Sequence, residues 1–290
     1  MPRLTVTMPA YNAELTIARA VRSTLSALPD DSELVVLDDC STDATLSRLG
    51  EVEDKRLRVV AGDTNVGGAR ARNELLRITD SEFIASMDAD DVVLPWRFHL
   101  QLRALTLADV VFGGALRVRR GRAPQPSFPS RLGPKELPVA MLFHNPVFHP
   151  TLAAKRLAIH QVGGYRDLRV AQDYDLWLRL ATSGAAMVRL AEPMIAYRLS
   201  ATQVSGSGSY RLKVASSVDL REAYVNHVNK MRTDVGLRGE VFTADSPPTP
   251  SDLEESAAKS IAMMRPVNRW YYRRLLSSER MLHPLSAGGT

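Results

Sequence analysis

Three aspartates follow a short apolar stretch in the first third of the chain. Residues 82–87 predict a buried strand, and Asp88, Asp90 and Asp91 come directly after it. Carboxylates this close repel one another and raise each other's pKa unless a positive charge lies among them. Mg²⁺ and Mn²⁺ prefer oxygen ligands and often bind through one or two carboxylates plus phosphate oxygens. The cluster is therefore a candidate metal site, although an acidic turn before a helix has the same composition.

Other polar residues follow predicted strands in the same way. Strands are predicted at residues 4–8, 33–37, 57–60 and 83–87, with helical segments between them. This alternation predicts an α/β fold with a Rossmann-like, mostly parallel sheet flanked by helices. In such sheets, ligands bind beyond the carboxyl ends of the strands. Tyr11, Asp39 and Asp88 each come after one of these strands, so we expect them to line one ligand site.

Length and composition limit the class of protein. The chain has 290 residues, 45% of them hydrophobic and 24% charged, which predicts one large or two small globular domains. Its apolar runs are too short for a membrane span, and the stretch before Pro9 is too short for a signal-peptide core. The single cysteine excludes an intramolecular disulfide and fits a reducing cytoplasm. A net charge of +5 and a pI of about 9.5 suit an anionic ligand or an anionic membrane surface.

Several nucleotide-dependent classes lack their expected motifs. No G-x-G-x-x-G follows the first predicted strand, which argues against a nicotinamide enzyme. A nucleotidyltransferase should have a Gly-, Arg- and Lys-rich loop there to bind a triphosphate, and residues 9–12 (Pro-Ala-Tyr-Asn) do not match it. There is also no zinc-finger spacing and no recognisable nucleic-acid module, so we expect no nucleic-acid partner.

The second half of the chain is less regular. We predict strands at residues 110–112, 145–152 and 194–199 and an amphipathic helix at 172–180. That helix has Asp173 and Asp175 in its first turn, where acidic side chains also stabilise the helix dipole without any catalytic role. Residues 205–209, rich in Gly and Ser, predict a mobile segment.

A helical extension is predicted after residue 205. Residues 212–231 predict a helix and residues 243–252, with three prolines, predict a linker. The last helical stretch combines aromatic residues with Arg265, Arg269, Arg273, Arg274 and Arg280. This pattern suits an anionic membrane surface. A helix packed on the domain with its arginines in solvent has the same pattern.

Taken together, seven motifs over about residues 3–205 resemble family 2 glycosyltransferases of the GT-A fold. They are Pro9-Ala10-Tyr11-Asn12, Asp38-Asp39-Cys40-Ser41-Thr42-Asp43, Asn65-Val66-Gly67 with Ala71-Arg72-Asn73, Asp88-Ala89-Asp90-Asp91, His149-Pro150-Thr151, Gly163-Gly164-Tyr165 and the helix at 172–179. The resemblance implies a glycosyltransferase domain at 1–205, with a nucleotide-sugar half at about 1–95 and an acceptor half at about 96–205. Residues 206–290 are then a C-terminal helical extension containing the linker at 243–252.

The resemblance also implies roles for the donor-side residues. Tyr11 would stack on the base of the nucleotide, and Asp39 would accept the imide hydrogen of uracil or thymine. Asp88 would hold the ribose hydroxyls, and Asp90 would bind the Mg²⁺ or Mn²⁺ that neutralises the departing diphosphate. Pro9, Gly67 and Arg72 belong to the matching donor-site motifs, and Arg72 is a candidate for contact with phosphate.

On the acceptor side, the resemblance implies that Asp173 is the general base of an inverting transfer. Two departures from the family pattern are Gln172, where a glutamate is common, and Ser200, where a metal-binding histidine is common.

The family implies transfer from a UDP- or dTDP-sugar to a hydroxyl of a glycan or a polyprenyl- or other lipid-linked acceptor in cell-envelope or surface polysaccharide synthesis. It implies a cytoplasmic protein, peripheral on the inner face of the membrane. A catalytically silent nucleotide-sugar-binding partner protein is the alternative that the two departures leave open.

Overall fold

The computed structural model describes residues 1–119, 122–127, 131–199, 214, 216–237 and 241–276. Ser200, Arg280 and the Gly/Ser-rich segment at 205–209 lie outside these residues. Within the described ranges, no helix combines the length and the apolar character that a bilayer span requires.

Strands and helices alternate over the first part of the chain, as the sequence predicts. The elements are β1 (Leu4–Ala10), α1 (Ile17–Ala27), β2 (Ser32–Asp38), α2 (Thr45–Gly50), β3 (Leu57–Ala61), α3 (Gly68–Arg77) and β4 (Phe83–Ser86). Consecutive residues of β1, β2 and β4 are buried, so both faces of the sheet are covered there. Their near-continuous apolar sequences are typical of the centre of a parallel sheet.

Shorter strands and helices follow. They are β5 (Val92–Val93), α4 (Arg97–Leu105), β6 (Val110–Val118), β7 (Gln125–Pro126), α5 (Leu137–Ala140), a 3₁₀ turn (His149–Thr151), β8 (Ala153–Lys155), α6 (Arg156–Gln161), α7 (Gln172–Thr182) and β9 (Met187–Arg198). The strand predicted at 145–152 is wrong, because this segment is irregular chain and the 3₁₀ turn. Pro146 and Pro150 lack the N–H groups that a paired strand would donate.

The described strands form one mixed sheet. Their order is β3-β2-β1-β4-β8-β6-β9-β5, with β7 paired to β6. Strands β3, β2, β1 and β4 are parallel, in a register that pairs Ala10 with Asp38 and Thr7 with Ser86. Strand β8 is antiparallel to β4 and β6, and β6 is parallel to β9. The predicted α/β fold with a mostly parallel N-terminal sheet is confirmed, and the carboxyl ends of β1, β2 and β4 share one edge.

The described part of the C-terminal extension contains the helices α8 (Val218–Asp234), α9 (Pro250–Ala262) and α10 (Pro266–Leu276). Helix α9 begins inside the segment predicted as a linker, because Thr249 and Asp252 form a capping box and Pro250 takes the first helical position. Apolar residues of all three helices share one hydrophobic core with α5, α7 and β6. The division of the chain at residue 205 stays a prediction.

Candidate active site

The carboxyl ends of β1 and β2 place the first donor-side residues together. Pro9 is the second-last residue of β1 and pairs with Leu37. The Asp39 backbone N–H donates to the Ala10 carbonyl at 2.7 Å, which continues the pairing one residue beyond the strands. Tyr11 follows directly, and its side chain is half exposed at this edge of the sheet. A flat ligand therefore has access to the Tyr11 ring.

Asp39 is buried, and backbone donors already contact both of its carboxylate oxygens. The N–H groups of Val66 and Gly67 donate to Oδ1 and Oδ2 at 2.8 and 2.9 Å. Gly67 has a φ of 85°, a conformation that glycine adopts without a steric penalty. Each carboxylate oxygen retains a second lone pair, so Asp39 can accept one more hydrogen. Asp39 therefore also fixes the loop before α3.

Asp88 pairs with a positive charge from α3. The Arg72 guanidinium lies 3.1 Å from Asp88 Oδ1, and His149 Nδ1 lies 4.0 Å from the same oxygen. The pKa of Asp90 is raised by burial and then by the negative charge of Asp88. The repulsion that the sequence predicts among these carboxylates is therefore present. Arg72 pairs with Asp88, and the charges of Arg198 and Arg19 oppose the rise in the pKa of Asp90 without cancelling it.

Asp91 differs from its neighbours in being almost fully buried. Its Oδ1 accepts the Arg198 N–H at 2.9 Å, and its Oδ2 has no hydrogen-bond partner. Burial, with the charge of Asp88 as the next cause, raises the pKa of Asp91 to about 8. Asp91 therefore ties this turn to the end of β9. The described residues contain no group of three or more His, Cys, Asp or Glu side chains placed to hold a metal ion.

Arg72 connects the donor-side carboxylate with the start of α7. Its charge lowers the pKa of Asp173 and that of the buried His149, although burial is the larger influence on both groups. Gly68 gives the guanidinium its space, because a Cβ at Gly68 would lie 2.7 Å from Arg72 Nη1. The next neighbour of that Cβ would be the Gln172 amide at 3.9 Å, which is the residue before Asp173.

The two aspartates in the first turn of α7 have different surroundings. Asp173 is half-buried, and its Oδ2 accepts a hydrogen bond from Asn145 Nδ2 at 3.0 Å. Burial raises the pKa of Asp173, while the Tyr174 N–H, Arg72 and Asn145 lower it. Asp175 is buried and forms an ion pair with Arg179 at 2.7 Å, with Arg166 at 3.6 Å. The geometry gives Asp175 a structural role and leaves Asp173 beside the other site residues.

Several residues near the site have no role assigned from the sequence. His149 Nε2 and the Tyr165 hydroxyl are 2.8 Å apart, and His149 Nδ1 lies 3.3 Å from Ser86 Oγ. Asn73 donates to the Tyr165 carbonyl at 2.7 Å and accepts its N–H at 2.9 Å. These residues lie in motifs that the sequence does point to. Asn145 has no comparable signal, since an Asn-Pro pair predicts only a turn.

Comparison with solved structures identifies the fold. TarS from S. aureus in complex with UDP-GlcNAc superposes with a TM-score of 0.60 at 17% identity, over 99% of this chain and 91% of TarS. A mannosyltransferase from Pyrobaculum calidifontis in complex with GDP-Man and Mn²⁺ superposes with a TM-score of 0.54 at 21% identity, over 98% of this chain and 86% of that chain. The fold is that of the GT-A glycosyltransferases, as predicted.

Comparison of sequences identifies the family. Residues 5–163 match the model of glycosyl transferase family 2, and the chain belongs to this family. The putative glycosyltransferase EpsE of Bacillus subtilis is 30% identical over 68% of this chain and 73% of its own length. The UDP-Glc:alpha-D-GlcNAc-diphosphoundecaprenol beta-1,3-glucosyltransferase WfgD of Escherichia coli is 32% identical over 38% of this chain and 43% of its own length.

Proposed function

We propose that the protein is an inverting glycosyltransferase that moves a sugar from a UDP- or dTDP-linked donor to a hydroxyl of a glycan or lipid-linked acceptor. The grouping of Asp88, Arg72 and Asp173 carries the proposal, because one guanidinium lies near both a donor-side carboxylate and a candidate base. WfgD, by its name, acts on a diphosphoundecaprenol-linked acceptor. This supports a lipid-linked acceptor and a place in cell-envelope polysaccharide synthesis for the present chain.

The donor nucleotide would bind at the shared edge of β1, β2 and β4. Tyr11 would stack on the base, and Asp39 would use a remaining lone pair to accept the imide hydrogen of uracil or thymine. Adenine has no ring N–H to give to a carboxylate, so adenosine donors are disfavoured. Guanine has one, and a guanosine donor would be disfavoured by its size. Asp88 would accept from the ribose hydroxyls.

The acidic turn after β4 fits a divalent cation. Burial and the charge of Asp88 make a second negative charge at Asp90 unfavourable, and a cation would remove that penalty. Asp90 would hold Mg²⁺ or Mn²⁺ through carboxylate oxygen, the kind of ligand that both ions prefer. When bound, the cation would supply positive charge that stabilises the departing diphosphate.

The protein's own residues would then perform the transfer. Asp173 would accept the proton of the acceptor hydroxyl as the oxygen attacks the anomeric carbon on the face opposite the diphosphate. The bond between the anomeric carbon and the diphosphate oxygen breaks, so the configuration inverts and the nucleoside diphosphate leaves. A positioned base of this kind accelerates a reaction about 10²- to 10⁴-fold. Arg72 would hold positive charge near the diphosphate.

Contact of α10 with an anionic membrane is a further part of the proposal. Val267 and Trp270 are exposed on α10 at a spacing of three residues, which places them on one side of that helix. Helix α10 contains Arg269, Arg273 and Arg274 and no acidic residue. Arg265, just before it, pairs with Glu136 and is less available for lipid headgroups. Sedimentation with vesicles that contain anionic lipid, compared with neutral vesicles, tests this part.

The first experiment measures thermal unfolding with UDP, dTDP, GDP and ADP, with and without Mg²⁺ or Mn²⁺. We expect UDP or dTDP to stabilise the protein when metal is present, by about 2.7 kcal/mol at a hundred times the dissociation constant. Asp90→Ala should lose the metal-dependent part. Asp30→Ala is the matched control, because Asp30 is fully exposed and precedes β2 at the opposite edge of the sheet. Tight binding of ADP, or an unchanged response of Asp90→Ala, would contradict the assignments.

The second experiment measures transfer. The donor that the binding screen selects is offered to lipid-linked acceptors, and the anomeric configuration of the product is read by NMR. Inversion is expected. Donor binding with neither transfer nor donor hydrolysis would favour the silent nucleotide-sugar-binding protein instead.

A further inference from the structure

Asn145 contacts the candidate base, Asp173, from outside helix α7. Its Nδ2 donates to Asp173 Oδ2 at 3.0 Å, and its Oδ1 accepts the Val147 N–H at 3.3 Å. The second bond fixes the orientation of the amide, because only the oxygen can accept from Val147. The nitrogen must then face Asp173, so the contact is a donation to the carboxylate.

The backbone that leads to Asn145 is held from two helices. Tyr174 of α7 donates its hydroxyl to the Met141 carbonyl, and Tyr224 of α8 donates to the Leu142 carbonyl at 2.8 Å. His227 of α8 contacts the Pro138 carbonyl at 2.8 Å. All three side chains are buried, so the segment before Asn145 has little freedom to move away from Asp173. Helix α8 lies beyond the segment that matches the family model.

We propose that Asn145 is a positioning residue that holds the Asp173 carboxylate in the orientation and ionised state required of a base. This inference rests on the proposed function, in which Asp173 accepts the acceptor proton. A donor to a carboxylate stabilises its charged form and restricts its rotation. Without Asn145, Asp173 would keep its burial but lose one of the contacts that oppose the burial penalty.

The charged and titratable groups that influence Asp173 come from several elements. Arg72 of α3 lowers the pKa of Asp173. The hydroxyls of the buried Tyr165, before α7, and of the half-buried Tyr197, on β9, each have a pKa raised by burial and further by nearby carboxylates that include Asp173. These groups are unchanged when Asn145 is replaced, so a change in titration can be assigned to the lost donor.

The test compares Asn145→Asp and Asn145→Ala with wild type. Asn145→Asp keeps the size of the side chain but replaces the donor with a carboxylate that repels Asp173, whereas Asn145→Ala removes the donor without adding charge. A packing role predicts no shift of the acid limb in Asn145→Ala. The positioning role predicts that kcat falls about tenfold or more in both variants, with donor affinity unchanged. The acid limb of the kcat profile should move to higher pH by about one unit, because loss of the donor raises the pKa of the base. Asn226→Ala, an exposed asparagine of α8, is the matched control.

A second readout does not depend on turnover. The Asp173 carboxyl ¹³C signal, assigned by comparison with Asp173→Asn, is titrated in wild type and in Asn145→Ala, and the variant should titrate at higher pH. If wild type transfers sugar but Asn145→Asp retains its kcat and pH profile, the inference is wrong and the proposed function stands. If wild type transfers nothing, the proposed function fails. The ¹³C titration then decides whether Asn145 controls the ionisation of Asp173, and equal titration in both proteins overturns the inference.

Discussion

The guanidinium of Arg72, on α3, lies 3.1 Å from the carboxylate of Asp88, which follows β4. Asp88 has a partly exposed side chain, whereas Arg72 is largely buried, and one of its nitrogens, Nε, has no hydrogen-bond partner. A guanidinium has several N–H donors, so one that pairs with Asp88 has further donors for a phosphate oxygen at the proposed diphosphate site. The following predictions concern this residue, its neighbours and the buried groups that support them.

Arg72→Met should impair transfer much more than Arg70→Met. Arg72 is the nearest described cation to Asp88 and lowers the pKa of Asp173, so its loss removes charge stabilisation and raises that pKa. We expect kcat to fall about 100-fold and its acid limb to shift to higher pH. Arg70 is on the same helix but is exposed and pairs with the exposed Asp167. Steady-state kinetics at several pH values would reject this role if the two variants behaved alike.

Gly68→Ala should reproduce the catalytic defect of Arg72→Met without a loss of stability. The new Cβ would lie 2.7 Å from Arg72 Nη1, and the flexible end of Arg72 would move away from it. Gly68 has no positive φ, so alanine fits the backbone there and stabilises the fold by about 0.4–1 kcal/mol by reducing the freedom of the unfolded chain. Gly50→Ala, where no atom lies within 4 Å of the added Cβ, is the control. Kinetics together with urea unfolding measure the two effects, and normal kcat in Gly68→Ala would show that Arg72 tolerates displacement.

Asp173→Asn and Asp175→Asn should have opposite phenotypes. Asp173→Asn removes the proton acceptor and also relieves the burial of a charge, so transfer should be lost while donor affinity and stability are kept. Asp175→Asn breaks a buried pair with Arg179, which should lower the free energy of unfolding by on the order of 3 kcal/mol with turnover retained. Urea unfolding and transfer assays on both variants are sufficient. Similar, modest stability losses and equal activities would instead support the helix-dipole interpretation.

His227→Gln should make the protein less sensitive to acid. Burial lowers the pKa of His227 to about 4, below the value of about 6.5 expected in the unfolded chain. Between these values the unfolded chain binds a proton that the folded protein excludes, so stability falls as pH decreases from about 6.5 to 4. For this one group the loss between pH 7 and pH 5 is about 2 kcal/mol.

The measurement for His227 is urea unfolding at pH 7 and pH 5. The glutamine of the His227→Gln variant would keep a donor for the Pro138 carbonyl and would not titrate, so the difference between the two pH values should shrink by about 2 kcal/mol. His160→Gln, which replaces an exposed histidine of α6, should behave like wild type. An unchanged difference in His227→Gln would mean that His227 is not a source of the acid sensitivity.

The sequence by itself determined the alternation of strands and helices in the first part of the chain and the edge where Tyr11, Asp39 and Asp88 meet. This was predictable because apolar runs identify buried parallel strands and because parallel strands end at one edge of a sheet. The family also followed from ordered motifs. The strand predicted at 145–152 failed, because β-rich composition is a weak signal and two prolines remove strand donors.

Only the tertiary structure decided which of the neighbouring carboxylates is available for chemistry. Asp173 and Asp175 are the same residue type in the first turn of one helix. In the structure, Arg179 and Arg166 pair with Asp175, whereas Asn145 donates a hydrogen bond to Asp173. Likewise, Asp91 accepts a hydrogen bond from the Arg198 N–H at the end of β9, whereas Asp88 forms an ion pair with Arg72. Arg179 is four positions from Asp175 on the same helix, but Asn145 and Asp173 are separated by 28 positions and Asp91 and Arg198 by 107. Local composition carries no information about such contacts, because chain packing alone determines which distant side chains meet.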